Sequence, residues 1–251
     1  FLGAKQGEIV AELLEQLGWT WNGWQDGKAI VLPADGGLPS VTLPSGLVLT
    51  LLSPSANKLK ALALKWKKDI NALGLEPGQG DAFLGRTTVL ASEDLDELLK
   101  TPFRTDTAPN NGSSITVLAE YGGKSILLGA DCHAPLLVAS LKTLLQQRRL
   151  KKLPLSAFKV PHHGSRNNLD ETVMGLIECR NYLISTSGKL FKHPDREAIA
   201  RIIHFGGPSP TLWFNYRSDV NEVWAKPELQ AKYNYRAMYP PEGQEGLLVT
   251  L

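Results

Sequence analysis

With 43% apolar and 21% charged side chains over 251 residues, the chain can bury a full core in one domain or two small ones, and its composition excludes a disordered chain. A formal charge of +2 and a pI near 8.5 exclude the strong basic footprint of a dedicated nucleic-acid binder, while leaving room for a local basic groove. Cys132 and Cys179 form no CxxC pair, no apolar run reaches the roughly 18–20 residues of a membrane span, and the start FLGAKQGEIV lacks a signal-peptide core, so a reducing cytoplasm is the expected setting.

An amphipathic helix is predicted over 5–17, where Ile9, Val10, Leu13, Leu14 and Leu17 share one face and Gly18 provides a stop. A connection containing Trp19, Trp21, Gly23 and Trp24 leads to strand-like runs at 29–32 and 47–52, which read as an antiparallel meander. A second helix over 55–73 carries the stripe Leu59, Leu62, Trp66, Ile70 and Leu73, is ended by Gly74, and turns a lysine-rich face to solvent. The segments 76–81 and 106–112, rich in Pro, Gly and Asn, read as loops around a short helix with Ser92 as N-cap.

From Ser114 the pattern changes to a strand over 114–121, a Gly122-Gly123 turn and a strand over 124–130. Strand and helix then alternate: helix 134–147, strand 157–160, helix 169–178, strand 182–185, helix 195–203, strand 211–216 and a closing strand at 246–251. Such alternation predicts a layered α/β sheet built from βαβ units.

All five histidines fall between His133 and His204, and three of them directly follow predicted strands. In α/β sheets the loops at the carboxyl ends of strands are where ligands bind. Asp131 ends the strand SILLGA, so Asp131, His162, His163 and His193 hold equivalent places on successive βα units. Carboxylate plus imidazole is the donor set of zinc, manganese and iron hydrolases.

Plainer roles compete for some of these residues. Asp131 also suits a helix N-cap ahead of Ala134, and His193 in KHPD can simply precede a helix whose first turn holds Pro194 and Asp195. The pair in PHHGS is harder to explain by structure alone, because it sets two imidazoles on a tight turn before Gly164 and Ser165. His133 is expected to point elsewhere, and His204 to face the last carbonyls of its helix. Arg148, Arg149, Lys151 and Lys152 read as a solvated helix end, Trp213, Phe214 and Tyr216 as core, and Tyr233, Tyr235 and Tyr239 as packing.

The series Asn111-Gly-Ser-Ser114-Ile-Thr-Val, Ser125-Ile-Leu-Leu-Gly-Ala-Asp131, Lys159-Val-Pro-His162-His163-Gly-Ser165, Ile184-Ser185 and His193-Pro194 resembles the hydrolase domain of the DNA-uptake channel protein ComEC and its soluble relatives. They belong to the metallo-β-lactamase superfamily. The segment LTLLSPSANKLKALALKW also looks like those soluble relatives, so the resemblance covers most of the chain. It implies an αββα sandwich that binds two divalent ions, zinc or manganese, with Asp131 bridging them and either His162 or His163 coordinating one. The other histidine would face the substrate together with a catalytic His193, and Asn111, Ser114 and Ser165 would shape the substrate rim. The implied activity is metal-assisted hydrolysis, commonly of phosphodiesters in nucleic acid.

Two departures stand against this pattern. Ala130 occupies the place of the family's usual glycine before the bridging Asp, and the HxHxDH motif that supplies most ligands is absent, since no histidine precedes His133. The chain begins with Phe1, and the resemblance places the missing motif upstream of it. The chain is therefore expected to be the C-terminal portion of a single metallo-β-lactamase-fold domain, weakly active or inactive alone. The rival expectation is a non-catalytic binding module with a vestigial metal site.

Overall fold

The computed structural model describes residues 4–23, 26–72, 92–189 and 191–251. Helix α1 (Ala4–Gln16) ends before Gly18, which takes a positive φ of 61°, and α2 (Ala56–Ala72) lies against it, with the Trp66 ring filling the space beside Gly7. The apolar row on α1 is not core, because Ile9, Val10 and Leu13 are exposed. Leu73, Gly74, Trp24 and the expected loop at 76–81 lie outside the described residues.

Strands β1 (Ser40–Thr42), β2 (Val48–Ser53), β3 (Thr116–Tyr121) and β4 (Lys124–Leu128) form an antiparallel meander. The turn between β3 and β4 requires positive φ at two successive residues, and Gly122 and Gly123 supply 54° and 75° without a Cβ penalty. Beyond β4 the sheet continues with parallel strands β6 (Ala157–Lys159), β8 (Asn181–Ile184), β9 (Thr211–Phe214) and β10 (Arg236–Met238). The result is a mixed eight-stranded sheet, and β5 (Leu153–Leu155) pairs with β7 (Ile177–Cys179) as a separate parallel ladder. The chain is thus a mixed α/β protein.

Helices α5 (Ala134–Arg148), α6 (Glu171–Gly175) and α7 (Arg196–Phe205) make the crossovers between the parallel strands and pack side by side. In α5, Leu137, Leu141, Leu144 and Leu145 recur at helical spacing and are buried. Each such leucine contributes about 1.5–3 kcal/mol of burial free energy. They join Phe158, Tyr182, Ile199 and Phe214 in one core. The tail tyrosines pack as expected: the Tyr235 hydroxyl donates to Trp224 O at 3.0 Å, and the Tyr239 ring stacks on Phe214 at 5.0 Å.

Several sequence expectations require correction. Residues 29–32 form no strand, only a bridge between Leu32 and Ser55, because Pro33 follows and offers no N–H. The short helix α3 (Leu95–Leu99) is capped by Asp94, which accepts from the N–H groups of Asp96 and Glu97; Ser92 lies two residues too early and accepts from Asp94 N instead, and within the expected loop at 106–112 residues Pro109–Gly112 form a single turn, α4. The expected helix at 169–178 splits after Gly175, and Ile177 to Cys179 alternates buried and exposed as a strand does. No strand closes the chain at 246–251: β10 holds that edge of the sheet, and Leu248 is 93% exposed. β10 is preceded by α8 (Pro227–Tyr233), which begins on a proline and ends at Asn234 in the left-handed region. Of the expected strand aromatics, Phe214 is buried, while Tyr216 lies past β9 and donates to Glu245. Arg148 is not a free helix end, since its guanidinium forks onto Glu120 of β3 at 2.7 Å. Among the described residues no helix is long and apolar enough to cross a membrane.

Candidate functional site

β4, β6 and β8 are neighbours in parallel register, so their carboxyl ends share one edge of the sheet. Asp131 lies just past β4, the His162–His163 pair just past β6, and His193 at the far end of the loop that leaves β8. At Gly129 the first two backbones nearly touch, its N–H donating to Lys159 O at 3.0 Å. A Cβ there would stand 2.8 Å from that same oxygen.

Past this contact the chains turn through the left-handed region: φ is 44° at Ala130, 45° at His162, 57° at His163 and 85° at Gly164. For residues with a Cβ, this conformation costs about 1–2 kcal/mol each. Strain of this kind persists where surrounding bonds impose it, and it gathers at functional sites. Here His162 N donates to Ala130 O at 2.7 Å, Ser165 N to His162 O at 2.9 Å and Asp195 N to Gly164 O at 2.9 Å.

Three rings meet at this edge, His162 lying 6.3 Å from His163 and 5.3 Å from His193 between centroids. Each Nδ1 faces an acceptor: Asn168 Oδ1 at 2.9 Å for His162, Ser185 O at 2.5 Å for His163 and Asp195 Oδ1 at 3.3 Å for His193. None of the three Nε2 atoms bonds a described residue. Rings anchored at Nδ1 and open at Nε2 suit metal ligation or proton transfer.

Asp131 is half-buried, and its carboxylate has no hydrogen bond or ion pair with a described residue. The capping role is excluded, because the N-cap of α5 is His133 and no side chain caps it. Burial lowers the Lys159 pKa against the pull of the Asp131 charge. Burial likewise opposes charging of His162, but Asp106, 3.4 Å from its Nδ1, and the charge of Asp131 raise its pKa above the ordinary histidine value.

Asp106 and Asn168 complete the site, and no sequence motif marks them. Asp106 accepts from Ala108 N at 2.9 Å, Asn111 Nδ2 at 2.7 Å and Asn168 Nδ2 at 3.1 Å, and it stands 3.4 Å from His162 Nδ1. Burial would raise its pKa, yet these partners hold the carboxyl well below the usual carboxylate range. His133 turns away from the three rings, its Nε2–H donating to Ala108 O at 3.0 Å and its Nδ1 lying 2.8 Å from Lys58 Nζ. Burial and the Lys58 ammonium lower its pKa.

Among the expected rim residues, Asn111 is tied to Asp106 and approaches His162 Nδ1 at 3.5 Å. Ser114 is half-buried beside it, its N–H donating to Asn111 O at 3.1 Å. Ser165 is buried and accepts from Asn167 N at 3.2 Å, a bracing contact inside the turn. His204 is exposed, edge-on to Phe205 at 4.6 Å between ring centroids.

Among the described residues, no group of three or more His, Cys, Asp and Glu side chains stands close enough to hold a metal ion. A catalytic zinc takes about three protein ligands. Asp131 and the open Nε2 atoms therefore have suitable chemistry but do not by themselves fit a two-ion centre. A cavity of about 840 Å³ lined by Lys124, Ser125, Ser156, Asn181 and Phe205 lies at the opposite, amino ends of these strands. Parallel sheets place chemistry at the carboxyl ends, and its Ser125 and Asn181 side chains already donate to Pro154 O and Ser156 O. No family model, curated protein or solved structure matches the chain.

Proposed function

We propose that this chain carries part of the active site of a metal-dependent hydrolase of the metallo-β-lactamase fold, acting on phosphodiesters such as nucleic acid or nucleotides. In this reading Asp131 and one ring of the His162–His163 pair are the chain's donors to a zinc or manganese ion, and the remaining ligands come from outside the described residues. The other ring and His193 face the substrate. The supporting observation is the placement of Asp131 and three Nδ1-anchored imidazoles at the carboxyl edge of β4, β6 and β8, where the Asp131 charge acts on His162 and Lys159.

The test is hydrolysis of a model phosphodiester with added Zn²⁺ or Mn²⁺ by the polypeptide that supplies the missing ligands. Activity is expected there and lost in Asp131→Ala, while this chain alone is weak or inactive. Full activity in Asp131→Ala refutes the reading.

The incomplete donor set favours a second reading, a non-catalytic binding module with a vestigial site. Metal analysis separates the two: two tightly held ions per protomer exclude the module.

A further inference from the structure

We infer that Asn168, anchored by Asp106, is a positioning residue that selects the ring state of His162 and presents its Nε2 lone pair to the open edge. The functional consequence rests on the hydrolase reading above. The geometry stands apart from it.

Asn168 is 0% exposed, so it touches no substrate, and its surroundings dictate which end of its amide points where. Its Nδ2 faces three oxygens: Asp106 Oδ2 at 3.1 Å, Asp131 O at 3.2 Å and Cys132 O at 3.1 Å. None of these can donate, so the nitrogen belongs on that side. The atom 2.9 Å from His162 Nδ1 is then Oδ1, an acceptor. His162 must carry its hydrogen on Nδ1, which leaves the neutral ring's lone pair on Nε2.

Asp106 acts one step back. Its own approach to His162 Nδ1, at 3.4 Å, is longer than a good hydrogen bond, whereas its contact with the Asn168 amide at 3.1 Å holds that amide in register. By bonding the carbonyls of Asp131 and Cys132, the same side chain also fixes the loop that carries the acidic residue. His133 shows that the fold sets ring states individually. There Nε2–H donates to Ala108 O and Nδ1 accepts from the Lys58 ammonium, the opposite tautomer.

The experiment is nitrogen-15 NMR of the histidine-labelled chain, free of metal and substrate, at about pH 9, where imidazoles are neutral. His162 is expected to show a protonated Nδ1 and a bare Nε2. Asn168→Ala should move most of the ring population to the Nε2–H form, and Asn168→Leu, which keeps the volume but neither polar end, should do the same. A role confined to stability would lower the melting temperature of Asn168→Ala without moving the tautomer.

A wild-type His162 with its hydrogen on Nε2 overturns the inference, even if the variants fail to fold. So does a folded Asn168→Ala or Asn168→Leu with an unchanged ring. Because no metal is present, a wrong tautomer beside intact hydrolysis sinks this inference alone, and a correct tautomer without hydrolysis sinks the hydrolase reading alone.

Discussion

Replacing Gly129 with alanine should damage both the fold and the site, for a purely steric reason. The new Cβ would lie 2.8 Å from Lys159 O, 3.0 Å from Pro161 N and 3.1 Å from Pro161 Cα. All three are backbone atoms and cannot rotate away as a side chain would. Ordinary contact begins near 3.4 Å, so the segment after β6 must retreat by several tenths of an ångström. Overfilling a packed interior costs about 1–3 kcal/mol. In a chain of this size each kcal/mol moves the melting temperature by about 2–4 °C, so a drop of about 2–12 °C is expected in a thermal melt. The retreating atoms adjoin His162 while Gly129 is two residues from Asp131, so the carboxylate and the ring move apart. On the proposed hydrolase reading, a misplacement of about 1 Å costs as much as a hundredfold in rate, and half of that should lower metal-dependent hydrolysis about tenfold. An unchanged melting temperature with unchanged His162 resonances would refute the close approach of the two backbones.

Three further outcomes follow from the same geometry. Ala130→Gly should relieve about 1–2 kcal/mol of left-handed strain against about 0.5–1 kcal/mol of added chain flexibility, a net gain seen as a higher melting temperature; a lower one contradicts the strain. Arg201 is buried and donates to Arg166 O at 2.6 Å, Leu169 O at 3.0 Å and Thr101 O at 3.3 Å, so Arg201→Met should cost about 3–5 kcal/mol in denaturant unfolding, and a loss below about 1 kcal/mol would show the network to be dispensable. Burial works to raise the pKa values of Asp106 and Asp195, but hydrogen bonds and nearby charge lower both, Asp195 chiefly through His193. Their folded values lie below the unfolded carboxylate value near 4, so their stabilisation is complete above about pH 4 and disappears as the pH falls through the folded values. Asp106→Asn should flatten this acid-dependent loss in melts at successive pH values; an equally steep acid limb would contradict the assignment.

Much of the fold is legible in local sequence, where local rules suffice. Gly122-Gly123 between alternating strands specifies the hairpin, and the leucine spacing of α5 specifies a buried helical face. Errors arise where sheet context decides. Ile177 to Cys179 becomes a strand because Leu153 to Leu155 is available to pair with it, whereas 246–251 has strand-like composition but finds its edge taken by β10. Helix α8 has terminal signals in Pro227 and Asn234, but with Leu229 as its buried residue it has no apolar stripe to read.

At the site, the placement of Asp131, His162, His163 and His193 after strands is readable because strand ends are readable. Asp106 and Asn168 are not, since they meet across 62 residues and owe their role to what surrounds them. The positive φ at both histidines is likewise invisible in PHHGS, where only Gly164 advertises such a turn.

Whether Asp131 and the paired rings share a cation is read most directly by titrating Mn²⁺ into the nitrogen-15-labelled chain and following paramagnetic broadening. Broadening should centre on Asp131, His162 and His163 at substoichiometric Mn²⁺ and vanish in Asp131→Ala. Broadening centred elsewhere, or unchanged in Asp131→Ala, would contradict a cation site at this edge of the sheet.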